Sequence, residues 1–159
     1  MRWYCIKKIK PYIISIAIAL AVGGLSALLT QNNMDIYNTI KTPPLSPPSI
    51  LFPIVWTILY ILMGISSAMI YNENNKEKES ALKTYALSLL VNFSWSLIFF
   101  NGRNFLFAFI WLLFLLLLII KTIMDYFKIN KTAAYLQIPY LLWVCFAGYL
   151  NFGIWILNR

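Results

Sequence analysis

The sequence contains no histidine. That absence removes the commonest general base, the commonest haem ligand and a usual zinc ligand together. Acidic residues are nearly as scarce, with five Asp and Glu against thirteen Lys and Arg. No paired carboxylates, no Ser/His/Asp set and no Gly-rich phosphate loop is visible, so no conventional catalytic group is on offer. No structural metal site is visible either. Two cysteines remain. Cys5 lies in a basic N-terminal tail and Cys145 deep in an apolar run, so they are expected to stay unpaired.

Charge of either sign is sparse. Charged residues make up 11% of the chain, against about a quarter in a soluble domain. Hydrophobic residues make up 61%, and the mean hydropathy is +0.73. The solvent for such a chain is a lipid bilayer. The net charge of +8 does not point to nucleic acid, because the basic residues form no binding face and lie between apolar runs, where they set membrane orientation.

A spanning helix needs about 20 mostly apolar residues. Five segments qualify: Tyr12–Thr30, Ile50–Tyr71, Ala81–Phe100, Phe105–Ile123 and Ala133–Leu157. Their only charges, Lys83 and Lys121, lie close enough to the ends to snorkel. The first segment has a basic lead but is longer than a signal-peptide core, so a retained helix is expected. Ala19, Gly23 and Ala27 recur along it at a spacing that allows close helix packing. The connection Gln31–Ser49 holds Pro43, Pro44, Pro47 and Pro48, which lack N–H groups and fix φ, so it is stiff and non-helical. The other connections are short, and short turns make antiparallel neighbours. The expected fold is all-α: a single domain over residues 1–159, a bundle of five transmembrane helices.

Ten Lys and Arg fall on the side of the N-terminal tail and of the second and fourth connections. Three, Lys41, Arg103 and Arg159, fall on the other. The positive-inside rule then puts the N-terminus inside, and the proline loop and C-terminus outside. The richness in Ile, Asn and Lys suggests an AT-rich bacterial genome, and a bacterial cytoplasmic membrane is the expected location.

Three helices carry faces that mix aromatics with small or amide residues. Trp56, Tyr60, Met63, Gly64 and Ser67 share one face of the second helix. Asn92, Trp95, Ser96 and Phe99 share one on the third, and Trp143, Ala147, Leu150, Asn151 and Ile154 one on the fifth. Such faces have two readings. Buried amides and hydroxyls can cross-link helices, or the aromatics can line an apolar pocket with a few fixed polar groups. Tyr71 and Trp155 fit interfacial belts. No ionisable residue sits in mid-membrane, which argues against an ion-coupled transporter.

Three blocks, PPLSPPSILFPIVWTILYILMG (Pro43–Gly64), NFSWSLIFFNGRN (Asn92–Asn104) and IPYLLWVCFAGYLNFGIW (Ile138–Trp155), together resemble the translocator protein family, also called the tryptophan-rich sensory protein or peripheral benzodiazepine receptor family. The resemblance covers nearly the whole chain. It implies a five-helix bundle, usually a homodimer, with a pocket between the helices lidded by the long first loop. It implies porphyrins such as protoporphyrin IX as ligands, with sterols and synthetic benzodiazepines in some members, and no required cofactor. By resemblance Trp56 and Trp143 are pocket tryptophans tied to light-dependent porphyrin degradation. Ala147 and Leu150 match ligand-contact positions, and Tyr37 is the ligand-facing aromatic of the lid. Asn92 matches the third helix's asparagine, with Ser96 one turn further along. Tyr60 and Trp95, on the same faces, complete the expected ligand-binding set. Asn92 fits a helix-bonding amide equally well.

The chain also departs from the pattern. The family's lid aromatics are replaced by Leu45 and Ile50, so altered lid packing or weaker porphyrin stacking is expected. The proposed sterol motif needs a basic residue soon after its tyrosine. Here none follows Tyr149 before Arg159, which favours porphyrin over sterol. Four functions stay open: a tetrapyrrole sensor or buffer, a light-dependent porphyrin-degrading enzyme, a carrier of porphyrin or lipid, and a scaffold for partner proteins. The first is favoured.

Overall fold

In hydrocarbon every backbone N–H and C=O must be satisfied within the chain, and an uninterrupted apolar run achieves this as a helix. The computed structural model describes residues 2–159, with side chains from Ile9 onward; Cys5 and the basic residues before Ile9 lie outside the described side chains. All regular structure among the described residues is helical. The first span lies within α1 (Arg2–Thr30), and the second is α3 (Leu51–Asn72). The third is α4 (Lys78–Ser96), continued by a π-helical turn at Leu97–Asn101, and the fourth is α5 (Phe105–Ile129). The fifth is made of α6 (Lys131–Leu136) and α7 (Ile138–Leu157), and the single turn α2 (Ile36–Thr39) sits in the proline loop. All five spans are long and apolar enough to cross a membrane, and the protein is an integral membrane helical bundle.

Three details differ from a plain reading of the hydropathy. First, α5 runs on to Ile129, and its Lys121 pairs with Asp125 at 2.7 Å. Second, the fifth span is broken at Gln137. Pro139 removes an N–H, and the Gln137 side chain is buried, its Nε2 donating to Ser66 Oγ at 3.1 Å. Ser66 Oγ in turn donates to the Ala133 carbonyl at 2.7 Å, so the break is stapled to α3. Third, the third span ends in a wide turn, in which the Gly102 N–H donates to the Leu97 carbonyl five residues back, at 2.9 Å. Such turns change the helical phase and recur at functional sites.

The helices form a ring in the order first, second, fifth, fourth, third span. α1 packs on α3 and α4, α4 on α5, α5 on α7, and α3 closes the ring against α6 and α7. Hydrogen bonds between connections sort the two ends. At one end Asn130, the cap of α6, donates to Glu73 Oε1 at 2.7 Å. At the other, Asn33 donates to Asn101 Oδ1 at 2.9 Å, and Asn158 holds Lys41. The second and fourth connections therefore share one side, and the proline lid, the third connection and the C-terminus share the other.

Candidate functional site

The lid end of the ring holds a cavity of about 360 Å³, within the size range of small-molecule sites, about 300–1,000 Å³. α1 supplies Leu20, Gly23, Gly24, Ser26, Ala27 and Thr30. The lid and α3 supply Met34, Tyr37, Ser49, Phe52, Pro53, Trp56, Thr57 and Tyr60. The third span contributes Trp95, Ser96, Phe99 and Phe100, and α7 contributes Ala147, Leu150, Asn151 and Ile154. The π-helical turn at Leu97–Asn101 carries Phe99 and Phe100 to the wall at the lid end of the third span.

The aromatics pack in three groups. Trp56 stacks on Tyr60 with ring centroids 5.5 Å apart and meets Tyr140 edge-on at 6.1 Å. Tyr37 meets Phe52 at 5.1 Å, and Trp95 meets Phe99 at 5.4 Å. Polar groups on this wall are held in place. Trp95 Nε1 donates to Asn151 Oδ1 at 3.2 Å, and Asn151 Nδ2 donates to the Phe105 carbonyl at 2.8 Å, so one amide ties α4, α5 and α7 together beside the cavity. Tyr60 is buried at the cavity floor, and its hydroxyl accepts from Asn92 Nδ2 at 3.1 Å. Beneath it Tyr85, Tyr126 and Tyr140 bring three more buried phenols into the closed half of the bundle.

The lid is fastened along its length. Tyr37 OH donates to the Pro47 carbonyl at 3.3 Å and Ser46 Oγ to that of Pro43 at 2.6 Å. Burial raises the Tyr37 pKa, opposed by a smaller lowering effect of Ser46, so the phenol remains a donor at neutral pH. Tyr149 OH donates to the Pro44 carbonyl at 2.8 Å. The Lys41 N–H donates to Asn158 Oδ1 at 3.0 Å, and Asn158 Nδ2 returns a bond to the Lys41 carbonyl at 2.8 Å. Pro43 rests against Gly153, where an added Cβ would lie 2.6 Å from the proline ring.

Of the residues singled out in the sequence, Tyr37, Trp56, Tyr60, Trp95, Ser96, Ala147 and Leu150 line this cavity. Trp143 and Asn92 do not. Phe52 is interposed before Trp143: its ring lines the cavity and meets the Trp143 ring edge-on at 5.9 Å. Asn92 is 2% exposed, and its amide is spent on Tyr60. Of its two readings, the geometry takes the helix-bonding one. Phe52 was legible, since it sits four residues before Trp56 and eight before Tyr60 on one helical face. The α1 wall was not, because its small residues read equally well as packing positions. Leu45 is 84% exposed and Ile50 68%, so neither contributes aromatic or apolar surface to the wall. At the interfaces, Lys78 Nζ lies 5.6 Å from the Tyr71 ring centre, and Arg159 Cζ lies at the same distance from that of Trp155. Cys145 is a free, exposed thiol.

The sequence profile of the TspO/MBR family matches residues 15–156. A tryptophan-rich protein TspO of Chlorobaculum tepidum is 36% identical over 155 residues, covering 96% of this chain and 98% of the relative. One of Archaeoglobus fulgidus is 36% identical over 146 residues, covering 91% and 94%. The translocator protein of Bos taurus is 35% identical over 126 residues, covering 77% of this chain and 75% of the relative.

Proposed function

The chain belongs to the TspO/MBR family, and on that premise we propose that it is a membrane-embedded receptor that binds a flat lipophilic ligand of the porphyrin class, protoporphyrin IX being the probe of choice. The observation that carries this reading is the cavity itself. Trp56, Trp95, Phe52 and Phe99 offer rings to a planar molecule, and aromatic contacts of this kind contribute about 0.5–1.5 kcal/mol each beyond area burial. Tyr60 adds a phenol at the floor, and it is the wall's one oxygen donor anchored by a buried amide partner. Ala147 keeps the α7 wall low. The relatives' names speak of sensing and translocation. Among the described residues no charged side chain lines the cavity, which fits a receptor better than an ion-coupled carrier.

The test is a titration of detergent-solubilised protein with protoporphyrin IX in the dark, followed by tryptophan fluorescence. Saturable quenching that weakens in Ala147→Phe supports the reading. Quenching that never saturates, or that Ala147→Phe leaves unchanged, defeats it. Illumination of the saturated complex then separates binding from chemistry: a product that differs from, or forms much faster than, that of protoporphyrin IX alone in the same detergent marks degradation by the protein.

A further inference from the structure

The way into this cavity is written in how α1 and α3 meet. The two helices run antiparallel and touch backbone to backbone at Gly64, where an added Cβ would lie 2.5 Å from Ile16 Cα. Nearer the lid the Tyr60 ring fills the gap, and a Cβ on Gly23 would lie 2.3 Å from its Cε2. One residue on and a quarter-turn round α1, a Cβ built on Gly24 meets nothing within 4 Å, so that side of the helix is open.

Leu20, Gly24 and Ala27 form one stripe of α1, and Pro53 and Thr57 one stripe of α3. All five line the cavity and all five are exposed. Lining the cavity does not by itself make a residue exposed. Tyr60, Phe99, Ala147, Leu150, Asn151 and Ile154 line the opposite walls and floor and are buried. Met34 and Ser49, which follow α1 and precede α3, line the cavity and are exposed as well, so the opening runs along the α1–α3 side from the lid end to Leu20. Gly24 lies six residues from the lid end of α1 and Thr57 six from that of α3, so both sit about 9 Å inside the span. A span of 22 residues is about 33 Å long, against a hydrocarbon layer of about 30 Å. At Gly24 and Thr57 the slot therefore faces acyl chains, and only its end at Met34 and Ser49 reaches the lid level. Its rim is apolar in effect, because the Thr57 hydroxyl is turned onto the Pro53 carbonyl at 2.7 Å. The alternative route, past the lid, is crossed by the Asn158–Lys41 pair of bonds and by the Tyr149–Pro44 bond.

We propose that ligand enters and leaves sideways, from the leaflet on the lid side, through the slot between α1 and α3, while the lid stays shut. The ligand class is thereby narrowed to amphiphiles that already reside in the bilayer, with a flat apolar body that passes Gly24 edge-on. This inference rests on reading the cavity as the ligand site.

The experiment is stopped-flow binding of protoporphyrin IX to the full chain in liposomes, for wild type, Gly24→Leu, Thr57→Leu and Asn158→Ala. The slot variants are expected to slow association and dissociation together, severalfold, while Asn158→Ala leaves both rates unchanged. Faster rates in Asn158→Ala with normal rates in the slot variants would make the lid the door and overturn the proposal. Weaker affinity with unchanged association would make Gly24 and Thr57 mere wall, and would overturn it too. A second measurement needs no ligand. A nitroxide at Thr57→Cys, in a Cys5→Ser, Cys145→Ser background, is expected to be relaxed by dissolved oxygen more than by a water-soluble nickel complex. The reverse order would show a slot open to water and end the idea. If wild-type protein shows no saturable porphyrin binding, the ligand assignment fails, and the nitroxide arm still decides the slot.

Discussion

Asn92 and Tyr60, thirty-two positions apart on different helices, meet in a hydrogen bond of 3.1 Å between two buried side chains. The bond fixes the phenol at the cavity floor. It also removes the Asn92 amide from contact with ligand. In a low-dielectric interior an unpaired partner is costly, so the pair behaves as a unit. Asn92→Ala is expected to destabilise the bundle by about 1–2 kcal/mol, in line with interhelical bonds in membranes. Tyr60→Phe should cost a similar amount, and the double variant clearly less than the sum. Thermal midpoints in detergent measure this. Strict additivity would mean that the two side chains do not support one another.

Ala147 is 8% exposed and lines the cavity on α7. It belongs to the packed core on one side and borders the cavity on the other, and a phenyl group there takes up space that the ligand needs. Ala147→Phe should lower porphyrin affinity by tenfold or more, equivalent to about 1.4 kcal/mol, with the thermal midpoint little changed. A collapsed midpoint would instead show that the phenyl group is forced into the packed side.

Trp56 and Trp143 should not be equivalent. Trp56 lines the cavity, and Trp143 stands behind Phe52. Followed by the porphyrin's own absorbance rather than by tryptophan fluorescence, Trp56→Leu should weaken binding strongly. Trp143→Phe, which changes no cavity-lining side chain, should weaken it by less than tenfold, about 1.4 kcal/mol. A larger loss in Trp143→Phe would show that ligand displaces Phe52 and reaches the tryptophan.

Gly64 is where α1 and α3 touch. Its missing side chain leaves room for the Ile16 backbone, which cannot yield as a flexible side chain would. Gly64→Ala should therefore force the two helices apart and cost about 1–3 kcal/mol, as overpacking does elsewhere. Gly24→Ala, with open space at the same test, should be neutral or mildly stabilising through helix propensity. A thermal-shift comparison of the two settles it, and equal effects would contradict the open side of α1 at Gly24.

Releasing the lid is expected to be mild. Asn158 is exposed and makes two bonds to Lys41, and exposed bonds contribute about 0.5–1.5 kcal/mol each at most. Asn158→Ala should speed proteolysis in the Lys41–Ser49 segment while the melting of the bundle barely moves. A large drop in the midpoint would make the lid an integral part of the bundle.

Hydropathy by itself determined the number of spans and, within a few residues, their limits, because satisfying backbone groups in lipid is a local requirement that each run meets alone. The proline clusters likewise determined a non-helical stretch over Pro43–Pro48, but the expectation failed ahead of them, where Gln31–Asn33 and Ile36–Thr39 form short helical turns that no proline interrupts; helical spacing grouped Trp56 with Tyr60 and Ala147 with Leu150. The blocks around Pro43–Gly64, Asn92–Asn104 and Ile138–Trp155 were enough to point to the family. What only the tertiary structure decided depends on which helices are neighbours and on their relative phase. Ring order, the interposition of Phe52 before Trp143 and the commitment of Asn92 to Tyr60 are all relations between distant parts of the chain. The π-turn at Leu97–Asn101 and the break at Gln137 alter phase without altering composition, so no hydrophobic pattern records them. The open side of α1 follows from where one glycine meets a backbone and another meets nothing. In the sequence, Gly24 and Gly64 are the same residue; their surroundings make one of them a contact and the other an opening.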